Sequence, residues 1–254
     1  MLMEIVILCC FAFIAGFIDS IVGGGGLIQM PALLLTFPKT SVPVLFGTGK
    51  IPALTGTSAA AWQYSKKVSF NYKVLGLTAG CALVSAYLGA QTISLLNSNL
   101  LKPLILVILV LIAIYTFVKK DFGSAEARDI PEKKMLIYGG LIGFIVGFYD
   151  GFFGPGTGSF FILAFIVLLG FDFLNASAYA KVINCVTNVS ALAAFIWNKQ
   201  VLYHVALPMA VCNMAGGLIG SRLALSKGND FIRKFFLLVI CILIVRYAYD
   251  VFYK

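Results

Sequence analysis

The chain has 254 residues, of which 61% are hydrophobic and only 11% charged, with a mean hydropathy of +0.99. A soluble domain carries about 25% charged residues, so neither a water-soluble globule nor a disordered chain fits; the composition is that of a polytopic membrane protein. The formal net charge of +9 does not indicate nucleic acid, because the basic residues lie mostly between apolar runs, as membrane topology requires.

The first apolar run, about 2–22, lacks a basic leader and reaches Asp19 without a small-residue cleavage site, so it reads as a retained span. Gly23-Gly24-Gly25-Gly26 follows, then a short run at about 24–37. Longer runs at about 44–64, 72–95 and 100–118 complete the first half. A polar segment, 119–131, leads to runs at about 135–153, 156–171, 175–197, 202–224 and 231–252. The short run of this second half follows another glycine turn, Gly154-Pro155-Gly156-Thr157-Gly158.

The two halves match without a net gap at an offset of 131 residues: Phe13-Ile14 meets Phe144-Ile145, Asp19 meets Asp150, Gly23 meets Gly154, Lys50 meets Lys181, Cys81 meets Cys212 and Lys102 meets Arg233. The expected organisation is a first membrane repeat (1–118), a cytoplasmic linker (119–131) and a second membrane repeat (132–254). The expected fold is all-α and polytopic, with two inverted repeats, each of four long spans plus a short glycine-preceded helix, about eight to ten spans in all. Five spans per half place twelve basic residues on one side and four on the other; four per half give ten and six. The stronger bias favours the odd number, opposite orientations of the halves, and both termini outside. Gly216-x-x-x-Gly220 and Gly76-x-x-x-Gly80 read as helix-packing motifs.

Charge within a span usually faces a cavity or a partner. Lys50 and Lys181 recur at matching positions, and an inverted repeat would bring two cations together at an anion site. Lys181, Asn184 and Asn188 share one helical face; Lys50, Thr57 and Ser58 form a comparable face, and Thr48 adds a hydroxyl. Gly24, Gly25, Gly156 and Thr157, at the starts of the short helices, offer backbone donors to an anion. Asp19 and Asp150 suit a cap, a coupling carboxylate or a counter-ion to the lysines. The six cysteines lie in apolar runs without CxxC spacing and read as fillers. With one histidine, His204, no metal site is expected; no cofactor is expected either. Gly47-Thr48-Gly49-Lys50 imitates the end of a phosphate-binding loop but lacks its upstream glycine and its Ser or Thr.

The hairpins Gly16-Phe17-Ile18-Asp19 to Gly26 and Gly147-Phe148-Tyr149-Asp150 to Gly156, with Gly47-Thr48-Gly49-Lys50 and Ala180-Lys181-Val182-Ile183-Asn184, resemble the TauE/SafE family of membrane transporters over essentially the whole chain. Gly49 and Pro52 depart from the more polar stripe usual around the first lysine. The resemblance implies an inner-membrane permease for small, often sulfur-containing anions. The leading expectation is a secondary transporter exporting sulfite or an organosulfonate by alternating access, driven outward by a potential negative inside. The alternatives are a proton- or sodium-coupled transporter working through Asp19 and Asp150, and a membrane subunit that transports nothing. An enzyme is not expected. The expected partners are a small anion and the lipid bilayer, not nucleic acid, and a homodimer is compatible with the sequence.

Overall fold

The computed structural model describes residues 2–95 and 130–253. The run expected at 100–118, nearly all of the linker 119–131, and the Lys102–Arg233 match lie outside the residues and side chains described. Every regular element among the described residues is helical: α1 (Leu2–Val22), α2 (Gly26–Thr36), α3 (Val42–Ser65), α4 (Tyr72–Leu95), α5 (Glu132–Phe152), α6 (Thr157–Leu169), α7 (Phe173–Trp197) and α8 (Tyr203–Tyr253). Local sequence explains the boundaries. Pro43 opens α3, where a missing N–H costs nothing. Asp172 caps α7 by accepting from Asn175 N at 2.8 Å. Gly170 ends α6 in the left-handed conformation, and Gly228 breaks α8 with φ of 74°.

Among the described residues, five helices are long and apolar enough to cross a membrane: α1, α4, α5, α7, and α8 as far as Gly228. α3 has the length, but it carries Lys50 and several hydroxyls. α2 and α6, with 11 and 13 residues, rise about 16 and 20 Å. Neither can cross a hydrocarbon core of about 30 Å alone. The short runs of the sequence are therefore part-depth helices.

Helices recur at the offset seen in the sequence: α6, α7 and α8 begin 131 residues after α2, α3 and α4. Contacts recur with the halves exchanged. α1 packs along α8, and α5 along α4. Leu202 N donates to Thr48 Oγ1 at 2.9 Å, and its counterpart Asn71 N donates to Tyr179 OH at 2.6 Å. Register gives the running directions. α3 runs parallel to α8, through Thr55 to the Ala210 carbonyl and Gln63 to the Leu218 carbonyl. α4 runs parallel to α7, through Leu83 to Ser190 and Gln91 to Asn198. The counterparts α3 and α7 run antiparallel, since Gly47 lies beside Phe195 and Ser58 beside Cys185.

Close packing rests on small residues. On α5, Gly139, Gly143, Gly147 and Gly151 meet Val74, Thr78, Ala82, Ser85 and Ala86 of α4. On α8, Gly216 and Gly220 meet the backbone of α1 at Phe13 and Phe17, as expected. Gly76 and Gly80 correct the other packing assignment: no described residue lies within 4 Å of the space a Cβ would fill. They point away from the Val74–Thr78–Ala82 face that α5 covers. Apolar side chains such as Leu83, Leu88, Phe144 and Ile145 are exposed on the outer surface, where lipid would cover them.

Candidate functional site

Each half contributes a hairpin whose turn needs a left-handed glycine. Gly23 has φ of 81° and Gly154 φ of 88°, a region closed to most other residues. The two turns interlock. Ser159 N donates to Gly23 O at 3.2 Å and Ser159 Oγ to Val22 O at 2.8 Å. Gly23 and Gly158 are pressed so close that a Cβ on either would strike the other's backbone. The end of α1 thereby meets the start of α6, and the end of α5 meets α3.

At this crossing lies a cavity of about 60 Å³, room for a few waters or one small ion. Its wall includes Asp19, Lys50, Asp150, Gly156, Asn184 and Asn188, six of the residues singled out in the sequence. Asn188 Nδ2 donates to Asn184 Oδ1 at 3.3 Å, keeping the two amides of α7 together. Gly26 and Gly156, at the starts of the part-depth helices, also border the space, so two positive helix ends face it.

The charges are paired across the halves. Lys50 Nζ stands 3.0 Å from Asp150 Oδ2 and donates to the Asp150 carbonyl at 2.9 Å. Its hydrogen bond goes to the backbone, so Asp150 Oδ2 is an ion-pair neighbour that accepts no directed hydrogen bond. Reciprocally, Lys181 donates to the Asp19 carbonyl and stands 3.4 Å from Asp19 Oδ2. Asp19 has further support: Thr57 Oγ1 donates to Oδ2 at 3.2 Å and Gly25 N to Oδ1 at 3.3 Å. Lys181 is completely buried behind the cavity, whereas the Lys50 side chain is 9% exposed on its wall. Two lysines and two aspartates make the site neutral when all are ionised.

Other expected site residues stand elsewhere. Thr48 is buried between α3 and the start of α8, donating to Val44 O at 2.6 Å. Gly24 and Gly25 lie inside the first turn, off the cavity wall, with Gly25 N committed to Asp19. Thr157 caps the second turn, its hydroxyl donating to Gly154 O at 2.6 Å. Ser58 is exposed beside Cys185, 3.5 Å away. The sequence reading passed over Gln29 and Asn213. Gln29 Nε2 donates to Gly49 O at 2.9 Å, and Asn213 Nδ2 donates to Gln29 Oε1 at 2.9 Å. This amide chain ties α2, α3 and α8 together beside Lys50. Each is a lone amide in an otherwise apolar run, the signal that would have found it.

Residues 8–247 match the model of the family described as sulfite exporter TauE/SafE. A probable membrane transporter protein, ORF9, from Sinorhizobium sp. is 37% identical over 94% of this chain and 90% of its own length. A probable membrane transporter protein from Haemophilus influenzae is 32% identical over 96% of this chain and 94% of its own. YfcA of Escherichia coli, also a probable membrane transporter protein, is 32% identical over 94% and 87%. No solved structure matches. These relatives are transporters and not enzymes. With a family match over nearly its full length and paired charges buried where its two halves cross, the chain is a multi-pass membrane protein belonging to the TauE/SafE family of membrane transporters.

Proposed function

We propose that this protein is a secondary transporter that exports a small anion, with sulfite or an organosulfonate as the first candidates. The observation that carries the reading is the cavity between the interlocked turns, where Lys50, the Asn184–Asn188 amides and two helix N-termini converge. An anion seated there meets a cation, amide donors and two positive helix ends. The antiparallel course of α3 and α7, with exchanged contacts elsewhere, is what inverted repeats require, and supports alternating access about this point. We place the protein in the inner membrane. Lys73 Nζ, at the α3–α4 connection, lies 3.0 Å from Glu132 Oε1 at the start of α5. Lys66, Lys67, Lys73, Lys133 and Lys134 therefore gather at one end of the molecule, which the positive-inside rule assigns to the cytoplasm together with the linker. Both termini lie outside in this arrangement.

Thermal unfolding of the purified protein with sulfite, sulfate, thiosulfate, sulfoacetate and taurine tests the anion site. A ligand at about 100 times its dissociation constant, binding only the folded state, stabilises by about 2.7 kcal/mol. A shift with one sulfur anion that disappears in Lys50→Ala and in the Lys50→Ala/Asp150→Ala pair supports the site; no shift with any anion removes it.

A further inference from the structure

The cavity holds its own anion already. Asp150 sits against Lys50 at 3.0 Å, so a transported anion that draws near the ammonium competes with the carboxylate for it. Asp150 is 2% exposed, and its Oδ2 accepts no directed hydrogen bond. Once Lys50 turns to a new anion, an ionised Asp150 would lie unpaired in an apolar interior beside a second negative charge. Asp19 is placed differently: it keeps Gly25 N and Thr57 Oγ1 whatever happens at Lys50, and its lysine is sealed behind the wall.

Resting on the anion reading above, we infer that the transported anion replaces Asp150 on Lys50, and that the displaced Asp150 takes up one proton, so that one proton moves with each monovalent anion. The charges balance. In the empty site the Lys50 ammonium and the Asp150 carboxylate sum to zero. In the loaded site Lys50 keeps its three protons and pairs with the anion. A hydronium from the compartment the anion came from gives up its O–H proton to Asp150, leaving water and a neutral acid, and the sum is again zero. Release on the far side reverses each step. The ionisable groups facing Asp150 are few: Lys50 from α3 and Asp19 from α1 across the cavity, with Lys181 of α7 held behind Asp19. Among the described residues, α2 and the second turn contribute no ionisable side chain to the cavity wall. Neutral loading has a consequence for direction. Each pH unit of acidity outside must be met by about a tenfold outward anion gradient before the anion leaves.

The test uses wild-type protein in proteoliposomes containing a pH-reporting dye, with methanesulfonate as the anion because a sulfonate stays ionised at any pH the protein survives. We expect one proton to accompany each methanesulfonate, at a rate indifferent to an imposed potassium diffusion potential. Asp150→Asn, checked for a wild-type-like elution profile, should lose proton movement, bind methanesulfonate more tightly, and carry it as a net charge whose flux follows the potential. Proton-free, potential-driven flux in the wild type overturns the inference, as does proton coupling that survives in Asp150→Asn. If Asp150→Asn does not fold, the wild-type stoichiometry decides alone. Absence of any thermal shift or flux with methanesulfonate and sulfite is a separate failure, that of the anion reading itself, and overturns the inference with it.

Discussion

The two lysine–aspartate pairs occupy equivalent places in the repeat yet stand in unlike surroundings. Lys181–Asp19 is sealed at the lysine and braced at the carboxylate by a hydroxyl and a backbone N–H. Lys50–Asp150 borders the cavity, and among the described residues Asp150 Oδ2 has no hydrogen-bond donor to brace it. The difference arises from the neighbours. Thr57 and Asn188 are counterparts at the 131-residue offset, as are Ala53 and Asn184. All four line the cavity, but Thr57 donates to Asp19 and Ala53 offers no polar group, whereas Asn184 and Asn188 bring two amides bonded to each other. The charges match in pairs at one offset, but their neighbours differ, and on the function proposed above the Lys50–Asp150 pair is the one a ligand meets while Lys181–Asp19 is a strut.

That contrast can be broken, and the largest effect should come from the strut. Lys181→Ala leaves Asp19 without its buried cation, and removing one partner of such a pair costs about 3–5 kcal/mol. Lys181→Ala also empties the place of a completely buried side chain, whereas Lys50 stands on the cavity wall, so thermal unfolding in detergent should show Lys181→Ala the less stable of the two; equal losses would erase the distinction between the pairs. The turns give the next effect. Ala at Gly23 and Ala at Gly154 both meet a left-handed backbone, worth about 1–2 kcal/mol, but at Gly23 the new Cβ also strikes the backbone of Gly158. Gly23→Ala should therefore lose clearly more stability than Gly154→Ala in the same measurement. Thr57→Val removes one hydrogen bond from Asp19 and should cost about 1 kcal/mol, while leaving the Lys50 side untouched. The smallest effect concerns packing. Gly143→Ala drives a Cβ into the Thr78 backbone and should destabilise, while Gly76→Ala meets open space and should be neutral or stabilising by up to about 1 kcal/mol through helix propensity.

Much of this was legible from residue types and spacing alone. Rare residues repeating at one offset marked the glycine turns and the four charged groups, because charge within an apolar run has few reasons to exist. The crossed pairing of Lys50 with Asp150 and Lys181 with Asp19 was not legible. It depends on the turns passing one another, a fact of three-dimensional packing. Gly76-x-x-x-Gly80 meets no described residue, because glycine spacing marks a narrow face without naming what lies opposite. Thr48 misled for a similar reason. It lies near Lys50 along the chain, but a helix turns about 100° per residue, which carries its hydroxyl to the α8 side and the Leu202 N–H. Gln29 and Asn213 stayed hidden because α2 and α8 are apolar on most faces, so periodicity did not say which way their amides turned.

The crossed pairing also sets a schedule for synthesis. Lys181 is made 162 residues after Asp19. At about 5–20 residues per second, roughly 8–32 seconds pass before the first carboxylate has a cation to meet. Lys50 waits 100 residues for Asp150. During those intervals the nascent first half carries unpaired charge in helices meant for lipid, and its α1 has no α8 to lie along. Neither lysine–aspartate pair is therefore complete until residues late in the chain have been made, so the cross-bracing at the centre forms only near the end of synthesis.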